Sequence, residues 1–395
     1  MAETSLLEIG AMFAVIALAG AGAHRLGVSV IPLYIVAGIL VNDAVLGALG
    51  LPAIQDGEFV TVVAELGIVF LLFFLGLEFS IDRLIEGRDR MTRAGALDAA
   101  LNFPVGVALG LLVGWSPTEA FVLGGIVYIS SSAVITKSLI DLGWIANPES
   151  EPMLGTLVFE DLAIAFYLAV LSAVVLGGGD LTGAVTSVGT AMAFLLVLVA
   201  GVARGDALFE RYLAVDSTEL FVLRAVAATV LVAGVALAIG VSEAVAAFFV
   251  GMGFSETAHV EKLERLLVPL RDVFAAVFFF WIGLTTDPRL VAATAALLAL
   301  AVVATTPTKL LSGYLTGRRY YGLDVTRSVR VGAGMVTRGE FSLIIATLVA
   351  GAGGSAVLAE TIPAFAVGYV LVMSVLGTLL MQYADSLARF VPGTG

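Results

Sequence analysis

Stretches of about 20 apolar residues follow one another along the whole chain, separated by short polar or charged turns. A stretch of that length is what an α-helix needs to cross the hydrocarbon core of a bilayer. Hydrocarbon offers no hydrogen-bond partner, so such runs must satisfy their own backbone groups as helices. Composition agrees, with 60% apolar residues, 13% charged residues and a mean hydropathy of +1.06. An ordinary soluble domain carries about 25% charge. The pattern predicts spans near 5–23, 28–41, 59–79, 94–114, 118–140, 152–176, 182–203, 217–239, 241–254, 270–285, 289–315, 328–350 and 361–387. The expected fold class is an all-α polytopic membrane protein with about 13 transmembrane helices.

Several function classes fall away at once. The chain has no Cys and only two histidines, His24 and His259, which excludes thiolate metal sites, thiol catalysis and an imidazole cluster. No enzyme activity is expected. A net charge of −12 and a pI near 4.6 argue against nucleic acid and against docking on anionic lipid. No G-x-G-x-x-G follows a strand and no P-loop occurs, so no nucleotide site, no cofactor and no soluble regulatory domain are expected. Work done by such a chain would draw on a gradient. The first span follows Glu3 and Glu8 with no basic residue before it, which predicts a retained helix rather than a cleaved signal.

Lys and Arg set the orientation. Arg25, Arg83, Arg88, Arg90, Arg93, Arg204, Arg211, Lys262, Arg265, Arg271, Arg318, Arg319, Arg327, Arg330 and Arg389 fall on alternate loops of one side. Only Arg289 falls on the other, beside Asp43, Asp56, Glu58, Asp180 and Glu360. The expectation is a multi-pass protein of the cell membrane with its N-terminus outside and its C-terminus in the cytoplasm.

Charges inside the apolar runs carry the chemistry. Glu160 and Asp161 are adjacent within Leu154 to Leu176, with no other charge in that run. A carboxylate at the bilayer centre costs roughly 2.5–3.5 kcal/mol on insertion scales, so two side by side imply a use. A buried acidic pair that holds either protons or a cation is the least machinery able to exchange one for the other. Ser130, Ser131 and Ser132, followed by Thr136 and Lys137, offer hydroxyls mid-span and disfavour an unbroken fifth helix, unless they merely bond back to the preceding turn. Lys309, near Pro307, either snorkels to the interface or pairs with a carboxylate, for which Glu160 is the obvious candidate. Thr337, Arg338, Gly339 and Glu340 in the twelfth span, after Gly332 and Gly334, read as a second broken helix; a local Arg338–Glu340 pair is the plainer reading. Glu65 and Glu78 in the third span are read as structural, with Asn102 and Pro104 noted beside them in the fourth. Interrupted spans thus recur seven apart, and an odd offset makes the two halves antiparallel, as in inverted repeats with a site at the midplane.

These residues resemble a known family. Glu65-Leu66-Gly67 through Phe73, Gly76, Leu77 and Glu78, the Ser130-Ser131-Ser132-Ala133 segment, Phe159-Glu160-Asp161-Leu162, Phe278 to Gly283, and Arg338-Gly339-Glu340-Phe341 are similar to successive motifs of monovalent cation:proton antiporters. The branch is the one holding bacterial sodium/proton antiporters and Kef-type potassium/proton antiporters. Ser132 stands where Thr is usual, and Glu160 where the sodium-selective members have Asp and the potassium-efflux members Gln. The resemblance implies Asp161 as the carboxylate that binds proton and monovalent cation, with Glu160 beside it and paired to Lys309. It implies that Ser130 to Ser132 and Gly339-Glu340 lie on crossed half-helices. It further implies a single antiporter domain over 1–390 working as a homodimer, with a dimerisation panel of about spans 1–3 and 8–10. The transport core would be about spans 4–6 and 11–13. The expected function is exchange of a monovalent cation, sodium before potassium, for protons by alternating access. The alternative is a Kef-type potassium pathway without strict proton coupling.

Overall fold

The computed structural model describes residues 6–27, 29–78, 81–176, 206–239, 243–255, 257–351 and 354–391, together with Ala193, Val197 and Leu198. Among these residues every regular element is helical. In chain order they are α1 (Leu6–Leu26), α2 (Val30–Val41), α3 (Glu58–Glu78), α4 (Ile81–Leu112), α5 (Pro117–Tyr128), α6 (Ser132–Asp141), α7 (Ser150–Leu176), α8 (Asp206–Leu213) and α9 (Thr218–Ala238). There follow α10 (Glu243–Ser255), α11 (Val260–Thr285), α12 (Pro288–Ala293), α13 (Ala295–Leu315), α14 (Val325–Met335), α15 (Glu340–Gly351), α16 (Ile362–Gln382) and α17 (Ala384–Ala388).

Ten helical segments of the described residues are long and apolar enough to cross a membrane, and α2 and α10 are shorter apolar helices. They fall on twelve of the thirteen predicted spans. The seventh, 182–203, lies almost wholly outside the described residues. Two boundaries differ from expectation for one reason. The fourth and tenth spans begin at Ile81 and Val260, well before their apolar stretches. Glu, Lys and Arg keep helix propensity where hydrophobicity ends, so these helices run on past the apolar core.

Two compact units are distinguished. One contains Asp56–Glu86 and Ala165–Trp281. Within it, α3 and α10 touch backbone to backbone. A Cβ on Gly76 would overlap the Phe248 carbonyl, and one on Gly251 would overlap that of Phe73. Small residues at such crossings let helices approach without a hydrophobic drive. Phe70 stacks on Phe274 at 5.6 Å, and Phe73 meets Phe254 edge-on at 5.9 Å.

The other unit contains Ser5–Gln55, Gly87–Ile164 and Ile282–Gly395. Here α5 and α6 together make one span, and α14 and α15 another. Each half is only 10–12 residues. A core of Ile135, Leu139, Met153, Leu157, Val331, Met335 and Met381 packs beside one end of this pair. That end is tied by Arg330, which donates to Glu149 at 2.5 Å and to both Asp385 oxygens at 2.7 and 2.9 Å. Its guanidinium also lies 4.5 Å from the Trp144 ring.

Adding one methyl at the α3–α10 contact should cost about 1–3 kcal/mol through overpacking. Gly76→Ala is therefore expected to lower the melting temperature in detergent. Gly234→Ala, where nothing lies within 4 Å, is the matched control and should lower nothing. The Arg330 clasp predicts a pH effect. Hydrogen bonds from Arg330 hold the Asp385 carboxyl below its ordinary value, against the partial burial that raises it. A depressed folded value gives stability that is present above the unfolded pKa, near 3.9, and is lost as pH falls through the lower folded value. With Asp385 largely exposed the gain is about 1 kcal/mol or less. The melting-temperature gap between the parent and Asp385→Asn should hold from pH 7 to about 4 and close below.

Candidate ion site

A helix broken at membrane depth leaves carbonyls at one stub and amides at the next, with partial charges of about half an electron each. Four such ends come together here. The extended Ile129–Ser131 segment of one pair meets the Thr337–Gly339 segment of the other, with Ser131 N donating to Thr337 O at 3.2 Å. Only glycine fits at 339, because a Cβ there would overlap the Ser131 side chain.

The two charges of the Arg338-Gly339-Glu340 turn serve opposite ends. Arg338, fully buried, donates from Nε to Val127 O at the end of α5, at 3.0 Å. Its Nη1 lies 3.1, 2.8 and 2.9 Å from the carbonyls of Met335, Val336 and Thr337 at the end of α14. A cation on two carbonyl ends is the favourable sign. Glu340, the first residue of α15, accepts from Ser131 Oγ at 2.9 Å, Ser132 Oγ at 2.8 Å and Ala133 N at 3.4 Å. It thus places its charge at the amide ends of both α6 and α15. The local Arg338–Glu340 pair does not form; among the described residues neither has an ion-pair partner within 4 Å. Thr337 Oγ1 bonds back to Gly334 O at 3.2 Å. Thr136 sits half-buried further along α6 and takes no part in these bonds, and Lys137 pairs with Asp141 at 2.9 Å.

Beside the crossing lies a cluster of charge. Lys309 Nζ, fully buried, donates to Glu160 Oε1 at 2.7 Å, to Ser130 Oγ at 3.0 Å and to Asp98 Oδ2 at 2.6 Å. An ammonium has three donors, and all three are used. Glu160 also accepts from Ser130 N at 2.6 Å through Oε2, and Ser130 Oγ lies 3.1 Å from Glu160 Oε1 and from Met335 O. Ser130 thereby joins the cluster to the crossing. Asp161 follows Glu160 on α7 and is 4% exposed. The Tyr128 ring, at the end of α5, lies 5.0 Å from Lys309 Nζ.

Asp98 is the residue that sequence reasoning passed over. It lies on α4 within the predicted span 94–114, soon after Arg88, Arg90 and Arg93, and was not singled out. It is nevertheless 1% exposed. Its Oδ1 accepts from Ser312 Oγ at 2.6 Å and from Asn102 Nδ2 at 2.9 Å. Asn102, noted in the sequence without a role, is a full turn along the same face; that i, i+4 polar pair in an apolar run was the available signal. Glu65 is exposed on α3. Glu78 ends that helix.

Residues 11–382 match the family model described as sodium/hydrogen exchanger, transmembrane. The chain is 36% identical over 389 residues to the K(+)/H(+) antiporter subunit KhtU of Bacillus subtilis, covering 98% of this chain and 95% of that one. It is 34% identical over 337 residues to the ammonium/H(+) antiporter subunit AmhT of Alkalihalophilus pseudofirmus, covering 82% and 81%. The structure of the sodium proton antiporter MjNhaP1 from Methanocaldococcus jannaschii shares the fold, with a TM-score of 0.73 at 12% identity over 98% of this chain and 99% of that one. Family match, crossed half-helices and buried charge agree: this chain belongs to the transmembrane sodium/hydrogen exchanger family.

Proposed function

We propose that the chain exchanges a monovalent cation for protons by alternating access, with Asp161 and Glu160 as the carboxylates that hold them in turn. The observation that carries this is the Lys309 ammonium, buried and 2.7 Å from Glu160. It is a built-in cation on a carboxylate that a transported ion would need. Cargo arriving from the aqueous side competes with Lys309 for Glu160 and with a proton for Asp161. One carboxylate cannot hold a proton and a metal ion together, so the two fluxes are coupled without a separate gate. Crossing with the carboxylates empty and charged is opposed by the low dielectric around them.

The cycle needs no cofactor besides the transported ions. Sodium remains the first candidate cargo from the acidic pair, while the names of the two curated relatives add potassium and ammonium. Both relatives are named as subunits, which is consistent with a further chain in the working complex. We read the protein as a homodimer, as the family resemblance implies, and as lying in the cell membrane with its N-terminus outside and C-terminus in the cytoplasm, on the loop charges already given. In this reading the spans around the crossing form the moving core.

In reconstituted vesicles an imposed sodium or potassium gradient should drive a pH change, absent from protein-free vesicles, that persists when the membrane voltage is clamped at zero. Vesicles that show only voltage-driven proton movement would be a channel's and would overturn the reading. Asp161→Asn should abolish exchange with the fold intact by circular dichroism. Cation-dependent proton flux surviving in that variant would remove Asp161 from the site. Lys309→Ala leaves Glu160 and Asp98 buried without their cation and should cost about 3–5 kcal/mol. Thermal unfolding in detergent would show this, and an unchanged melting temperature would deny the ammonium its place.

A further inference from the structure

Lys309 has two carboxylate partners, and they are held differently. Glu160 reaches it from α7, with its remaining bonds to Ser130. Asp98 reaches it from α4, the other carboxylate oxygen taking Ser312 Oγ at 2.6 Å and Asn102 Nδ2 at 2.9 Å. Ser312 is on the same helix as Lys309, one turn on, and Asn102 on the same helix as Asp98. Asp98 is therefore locked to the lysine's own helix by a bond that does not involve the lysine. Glu160 has no such tie to α13 among the bonds described.

We propose that Asp98 is the standing counter-ion of Lys309, a positioning residue that keeps the ammonium charged and in place when Glu160 turns to a cation. The proposal rests on the antiport reading and adds to it. With a single carboxylate partner, a lysine displaced from Glu160 would be left as an unpaired charge in a low-dielectric interior. Such a group is strongly destabilised or gives up its proton. With Asp98 in place neither happens: the lysine and Asp98 remain a neutral pair. The proton exchanged for the cation is then that of Asp161, Glu160 passes from the ammonium to the cation without releasing one, and Lys309 carries none across.

The test uses the full chain in vesicles and compares cation KM, maximal rate and charge moved per cation. Asp98→Asn is expected to raise the cation KM at least tenfold, or to add a proton per cation as the orphaned lysine sheds its own. Asp98→Glu should restore the parent values. In a Lys309→Gln background there is no ammonium to hold, so adding Asp98→Asn should move KM by less than twofold; this arm stands even where the single Asp98→Asn variant fails to accumulate. Unchanged KM and charge per cation in Asp98→Asn would overturn the proposal. So would a raised KM from Asp98→Asn on Lys309→Gln, which would make Asp98 a direct ligand of the ion. Absence of exchange in the parent protein would instead sink the antiport reading itself.

Discussion

Breaking a helix inside hydrocarbon exposes backbone groups that no water can satisfy, and the structure does this twice at one point. Everything near the site follows from how those four stubs are neutralised. Arg338 takes the carbonyl ends of α5 and α14, and Glu340 takes the amide ends of α6 and α15. Both side chains come from one short turn. The opposite charges are two residues apart in sequence yet do not pair, because each has a stub of the opposite sign to meet. The alternative of a local ion pair gives way to a pair of helix caps.

The caps leave Ser130 N and the Ser130 hydroxyl facing the other way, toward Glu160 and Lys309. This is the physical link between the broken helices and the charge cluster. A buried ion cluster is weak evidence for stability, since desolvation offsets much of the attraction. It is better understood as an arrangement with a second solution. A cation of the same charge can replace the ammonium on Glu160 without changing the local sum. The near balance that makes such clusters poor anchors is what lets them exchange partners.

The membrane spans were legible because a 20-residue apolar run has one physical outcome, and both helix breaks were legible from Ser130–Ser132 and from Gly339 among charges. Glu160 and Lys309 were singled out because charge in apolar sequence needs a reason, and they stand within hydrogen-bonding distance. What sequence did not yield was partner choice. Asp98 was not singled out within its span, since nothing one-dimensional shows where α4 crosses α13. The break at Arg338-Gly339-Glu340 was read, with a local Arg338–Glu340 pair as the alternative, but which helix ends each charge meets was not, because helix ends from distant spans are not visible in sequence.

Residue type bears on how differently the two carboxylates on Lys309 are held. Aspartate has one fewer rotatable bond than glutamate, and at position 98 both its oxygens are taken by bonds to α4 and α13. It has little freedom to follow a passing ion. Glu160 has a longer side chain, and its neighbour in sequence is another carboxylate, Asp161. Rotation about its side-chain bonds between staggered wells moves its oxygens while the helix stays fixed, once its bonds to Lys309 and Ser130 are given up. An aspartate at 160 would begin closer to α7 and have to draw Lys309 after it. In the proposed cycle the extra methylene of Glu160 is the part that lets this carboxylate leave the lysine while Asp98 keeps it.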